Sequence, residues 1–143
     1  MTEELEDRRS AAQDEVRIYM TEDIISIDSR ASVTEAAQTM FDTRQGSVLI
    51  EKDGEYIGIV TEGDISQRVI AQIKKPIEVR AESIMSTPVI SIESNKLMAA
   101  AFLIMEKNGI RHIAVSENEK IIGMLSIRDF SKYYVRKFSK RKK

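Results

Sequence analysis

Cysteine is absent from this 143-residue chain, and histidine occurs once. The first absence excludes a disulfide framework, a thiolate nucleophile and a sulfur-ligated metal; the second excludes a multi-histidine metal site within one chain. No apolar run approaches the roughly eighteen residues that a membrane span requires. The start carries Glu3, Glu4, Glu6 and Asp7, where a secretory leader would be basic and then apolar. A cytoplasmic protein with no membrane span is therefore expected. An excess of one charge sign is missing as well, since the net charge is −1. The charges are nevertheless segregated, acidic over residues 1–15 and basic over 136–143. At this length one compact module can bury about two thirds of its unfolded surface without metal or disulfide staples.

What the chain has instead is a duplication. Met20-Thr21-Glu22-Asp23-Ile24-Ile25-Ser26-Ile27 is matched by Met85-Ser86-Thr87-Pro88-Val89-Ile90-Ser91-Ile92. At the same offset, and with no gap, Gly58-Ile59-Val60-Thr61-Glu62-Gly63-Asp64 is matched by Gly123-Met124-Leu125-Ser126-Ile127-Arg128-Asp129. Further identities fall at Ser29, Ala36, Met40 and Ile57. Two copies of one supersecondary unit are present. Each is too short to bury its own apolar face well, so the copies are expected to pack on one another about a pseudo-twofold axis, with grooves between them as the place for a ligand.

Residues 1–15 read as a charged N-terminal segment leading into Val16–Met20. In the first copy (16–75), the β-branched run Ile24–Ile27 predicts a strand. Ser32-Val33-Thr34-Glu35 then predicts a capping box, and Val33, Ala36, Ala37, Met40 and Phe41 form one stripe at helical spacing. Ser47–Glu51 and Tyr56–Val60 predict an antiparallel pair around Asp53-Gly54, which supplies the positive-φ positions of a hairpin turn. A second helix is predicted from about Thr61, turning Ile65, Val69, Ile70 and Ile73 inward and ending before Lys74-Lys75-Pro76. The unit is β-α-β-β-α. The second copy (76–135) repeats it, with strands at Val89–Ile92, Ile113–Val115 and Ile121–Leu125, a helix from about Lys96 stopped at Asn108-Gly109, and a last helix from about Ser126. A turn of helix is predicted at Ala81–Met85.

The recurring element of most interest joins the third strand to the second helix: Gly58, Thr61 and Asp64, and again Gly123, Ser126 and Asp129. Thr-x-x-Asp at a helix start is a capping pattern, in which hydroxyl and carboxylate satisfy free backbone donors for about 1 kcal/mol. The preceding glycine lets backbone approach a ligand closely. A carboxylate on a first helical turn also suits the two hydroxyls of a ribose. Both readings are open at the level of sequence. No general base stands near a credible nucleophile, so an enzyme is not expected.

The repeat resembles a tandem cystathionine-β-synthase (CBS) domain pair, or Bateman module, over residues 16–137. The resemblance rests on Met20-Thr21, on Met85-Ser86-Thr87-Pro88, on the element order and on the two Gly-to-Asp segments. It implies an α/β fold and a regulatory module that binds adenosine-containing ligands in clefts between the copies. By the same resemblance Asp64 and Asp129 hold ribose hydroxyls, and Thr61 and Ser126 touch ribose or phosphate. Ile24, Ile25 and Ile59, or Val89, Ile90 and Met124, line an adenine slot. Arg111 and His112 match positions of cationic phosphate contacts, Arg111 through bidentate bonds and His112 through a donor whose charge follows pH. No cofactor is required, and the implied ligand is AMP, ATP or another adenosyl compound. Arg44, Arg68, Arg128 and Lys132 are reserves of positive charge near the same rims.

The tail Arg136-Lys137-Phe138-Ser139-Lys140-Arg141-Lys142-Lys143 reads as a basic arm able to neutralise phosphates on nucleic acid, as a solubilising terminus, or as a partner for the acidic N-terminal segment of another subunit. A homodimer is expected, because each unit leaves hydrophobic helix surface exposed. A regulated partner protein follows from the family's role.

Overall fold

The computed structural model describes residues 13–141, the side chains of 140 and 141 excepted. The acidic residues before Gln13 and the last two lysines lie outside the described residues. The fold is α/β, with two three-stranded sheets, each flanked by helices. The chain divides into two compact units: a continuous one, Ile24–Ile90, and a split one that joins residues 13–23 to the chain from Ser91 onward. The units therefore do not follow the repeat boundaries. Residues 76–90, which open the second repeat, pack with the first repeat's strands, and the stretch ending at Asp23 packs with the second repeat's strands.

In the continuous unit, β1 (Ser26–Asp28) runs parallel to β2 (Ser47–Lys52), which pairs antiparallel with β3 (Glu55–Thr61). Val48 lies opposite Val60 and Ile50 opposite Gly58, with a bulge between Ile50 and Glu51. Asp53 and Gly54 adopt φ of 51° and 79°, the turn anticipated from the Asp-Gly pair. The helix Val33–Thr43 starts as expected, with the Ser32 hydroxyl accepting from the Glu35 amide at 3.1 Å. Its Val33, Ala36 and Met40 are buried with Ile27, Val48, Ile50, Val60, Val69 and Ile84 in one apolar core. Ala37 and Phe41 do not join that stripe, and Phe41 is 84% exposed.

The helix after β3 departs from its expected course. Glu62–Ile65 is α-helical, but Ser66–Ile70 widens into a π turn, in which the Ala71 amide reaches back five residues to the Ser66 carbonyl. The wider turn rotates the following positions. Val69 stays buried and Ile65 stays against the core, whereas Ile70 and Ile73 face solvent, Ile73 at 94% exposure.

The split unit repeats the plan. β4 (Ser91–Glu93) is parallel to β5 (His112–Glu117), which is antiparallel to β6 (Lys120–Ser126), with a bulge at the equivalent place, between Val115 and Ser116. The helix Met98–Asn108 buries Met98, Ala101 and Met105 and ends on Gly109 at φ 62°. The helix Ile127–Arg141 buries Phe130 and Tyr133. This last helix carries much of the basic tail, which is therefore an ordered helical end as far as Arg141 rather than a loose arm. Lys137 donates to Asp14 Oδ2 at 3.3 Å and to the Tyr133 hydroxyl at 2.9 Å, and these bonds raise its pKa above the usual lysine value. Asp14 belongs to the acidic end of the same chain, so this opposite-charge contact is made within the chain, whereas the sequence reading set the tail against the acidic segment of another subunit. Tyr19 meets Tyr133 edge to face at 5.2 Å, and the Arg136 guanidinium lies over Tyr19 at 5.9 Å.

Each unit is completed by a lead-in segment laid along it. In the continuous unit, residues 80–86 pair at Arg80 with Ser32 and at Ser86 with Ile59. In the split unit, residues 15–21 pair at Glu15 with Leu97 and at Thr21 with Met124. The bonds match at equivalent positions: Ser86 N to Ile59 O is 2.8 Å, and Thr21 N to Met124 O is 2.8 Å.

Candidate functional site

The two strand–helix junctions are built alike. At the first, the Thr61 amide and hydroxyl donate to Asp64 Oδ2 at 2.9 and 3.1 Å, and the Asp64 amide donates to the Thr61 hydroxyl at 3.2 Å, completing a capping box. At the second, the Ser126 amide and hydroxyl donate to Asp129 Oδ2 at 2.8 and 3.3 Å. The next helical amide is satisfied by the loop before the central strand: Glu62 N donates to the Gly46 carbonyl at 3.1 Å, and Ile127 N to the Arg111 carbonyl at 2.9 Å. Both aspartates thus perform the capping role that sequence allowed, with one carboxylate oxygen each. Asp129 is buried and Asp64 half-buried.

The second oxygens differ. Asp64 Oδ1 accepts the Ser86 hydroxyl at 3.3 Å and faces Arg68 Nε at 3.8 Å. Arg68 also donates through Nη1 to the carbonyls of Ile84 and Met85, at 2.9 and 3.3 Å. At Asp129 both bonds from Ser126 fall on Oδ2. Ser86 was not among the residues singled out from sequence, and Arg68 was only a reserve. Ser86 occupies the repeat position of Thr21, and it is the fold, not the repeat, that sets its hydroxyl beside the first carboxylate.

The two repeated glycines lie under the lead-in segments. A Cβ on Gly58 would stand 2.6 Å from Met85 Sδ and 3.1 Å from the Ser86 carbonyl oxygen. One on Gly123 would stand 2.7 Å from Met20 Sδ and 2.9 Å from the Thr21 carbonyl oxygen. What approaches these glycines closely is the lead-in segment of the same unit, and the repeated Met-Thr and Met-Ser dipeptides are its contact points.

The remaining candidates fall in one unit or the other. Ile24, Ile25 and Ile59 belong to the continuous unit and are half-buried; the Ile25 carbonyl accepts from Leu49 N at 2.9 Å. Val89 and Ile90 end that unit, half-buried and outside any strand. Met124, Ser126 and Asp129 lie in the split unit with Arg111, which is exposed, and His112, which is half-buried and opposite Ser126 in the register. Among the described residues no group of three or more acidic or histidine side chains could hold a metal ion, and no helix is long and apolar enough to cross a membrane.

The family model for the CBS domain matches residues 14–71 and 81–136. An uncharacterized protein of Methanopyrus kandleri is 40% identical over 110 residues, covering 75% of this chain and 56% of that protein. YlbB of Bacillus subtilis, also uncharacterized, is 31% identical over 118 residues, covering 81% of this chain and 79% of its own. The chain therefore spans about half the length of the first relative and most of the second. Among solved structures, an uncharacterized conserved protein from Pyrococcus horikoshii is similar with a TM-score of 0.79 at 27% identity, covering 86% of this chain and 93% of the other. The CBS-domain containing protein ATU1752 from Agrobacterium tumefaciens gives 0.78 at 27% identity, with 84% and 98% covered.

Proposed function

The chain belongs to the CBS-domain family, as a pair of repeats, and from that premise we propose that it is a regulatory module sensing an adenine nucleotide or another adenosyl compound. The Thr61–Asp64 and Ser126–Asp129 junctions hold the ribose in this reading, and bound ligand alters the module's affinity for a partner protein. The observation that carries the reading is the repeated corner geometry: a hydroxyl and an amide fix one carboxylate oxygen, which aims a rigid acid at the end of a strand. An oriented carboxylate of this kind accepts hydrogen bonds from a vicinal diol. Exposed Arg111 adds a planar cation suited to a phosphate. A solved relative from Burkholderia ambifaria is provisionally assigned as a signal-transduction protein with CBS domains, which agrees in kind. Exposed Phe41, Ile77, Leu103 and Val135 supply apolar surface for the proposed homodimer. Binding of RNA or DNA by residues 136–143, the other reading of the sequence, has only charge in its favour.

A ligand shifts a conformational equilibrium by no more than its difference in affinity for the two states. Micromolar affinity, about −8 kcal/mol, suffices for sensing. Calorimetry with adenosine, AMP, ATP and S-adenosylmethionine is the test, on the wild type and on Asp64→Asn and Asp129→Asn. At least one compound binds, each substitution weakens binding by about tenfold or more at one site, and Arg111→Ala weakens AMP more than adenosine. Absence of binding by all four compounds overturns the reading.

A further inference from the structure

The two junctions share a design and differ in one respect. At Asp129, Oδ2 carries the capping bonds, and the repeat position of Arg68 is Tyr133, whose hydroxyl is turned to Lys137 at 2.9 Å. At Asp64, Oδ2 is used in the same way, but Oδ1 is also taken, by the Ser86 hydroxyl with Arg68 alongside. Ser86 and Arg68 are held for this task. Ser86 is fixed by its paired backbone bonds with Ile59, and Arg68 by the Ile84 and Met85 carbonyls. A diol needs an acceptor with room for two donors. Asp64 meets a diol with a hydroxyl and a guanidinium already in place at Oδ1.

We infer that Ser86, positioned by its pairing with Ile59 and supported by Arg68, is an internal competitor for the diol-binding oxygen of Asp64, so that the Asp64 junction fills only when Ser86 is displaced. The inference rests on the proposed adenosyl function and goes beyond it by naming the side chain that competes with the ligand at one of the two junctions. Displacement has a structural consequence. Ser86 sits on the lead-in segment 80–86, so ligand entering at Asp64 detaches that segment's hydroxyl and its Arg68 support from α-helical residue 64.

The test uses the full-length chain and adenosine, which carries no phosphate and so does not draw on the Arg68 charge. Asp129→Asn confines adenosine binding to the Asp64 junction. In the Asp129→Asn background, Ser86→Ala strengthens the remaining site by about tenfold, the effect of one hydrogen bond to a charged acceptor. Replacing adenosine by 2′-deoxyadenosine, which lacks one hydroxyl of the diol, abolishes that gain. Thermal melting of each variant establishes that it is folded. Unchanged or weaker binding in the Ser86→Ala, Asp129→Asn protein overturns the inference while leaving the adenosyl reading in place. Failure of adenosine, AMP, ATP and S-adenosylmethionine to bind any variant overturns both.

Discussion

At Gly123 a methyl group would meet the Thr21 carbonyl oxygen at 2.9 Å, a backbone atom that cannot step aside, whereas at Gly58 the nearest backbone atom, the Ser86 oxygen, is at 3.1 Å and the closer obstacle is the flexible end of Met85. Gly123→Ala is therefore expected to cost more than Gly58→Ala, within the roughly 1–3 kcal/mol of overpacking in a dense interior; equal midpoints in urea denaturation would contradict this. The same glycines show how far a residue type can be read. Glycine announces that something comes close, and it is silent about what. Asp64 and Asp129 were legible as acids at helix starts, and both cap as the spacing indicates. The occupation of Asp64 Oδ1 was not legible, because it depends on Ser86, which only the fold brings to Asp64.

Among the elements, strands and hairpins were the most readable, since alternation and turn chemistry are local. Asp53-Gly54 makes its turn with the residue type that turn prefers; the second hairpin uses Asn118 and Glu119 at φ 51° and 66°. A glutamate in the left-handed region is strained by its Cβ. Glu119→Gly, giving the favoured Asn-Gly pair, is expected to stabilise the protein by about 0.5–1 kcal/mol and to raise Tm by a few degrees, which calorimetric melting measures. The helices were harder. Ile70 and Ile73 have the spacing of an inward stripe, but periodicity presumes about 3.6 residues per turn, and the π turn over Ser66–Ile70 breaks that assumption without any sequence mark. The basic C-terminal stretch reads as a solvated arm by charge alone. It becomes helix through the aromatic packing of Tyr133 against Tyr19 and through the Lys137–Asp14 bond.

Across the whole molecule, the duplication predicted two similar units and the structure contains them, yet the compact units are offset from the repeats because each lead-in segment completes the other repeat's sheet. A chain starting at Ile24 loses the Thr21–Met124 pairing and the Met20 side chain over Gly123, while the Ser86–Ile59 pairing in the continuous unit is untouched. Hydrogen exchange on that truncated protein should show faster exchange at Met124 and near-native protection at Ile59 and Ser86; uniform loss of protection would show that the units do not respond separately. The connectivity also orders events on the ribosome. Every residue of the continuous unit has been made once Ile90 has been added, and its Ile59–Ser86 bridge spans a short stretch of chain. The Thr21–Met124 bridge spans about a hundred residues and has to wait for them, about 5–20 seconds at ordinary elongation rates. The early-made lead-in therefore spends the middle of synthesis without its strand, whereas the whole of the continuous unit has been translated before the second repeat's sheet begins.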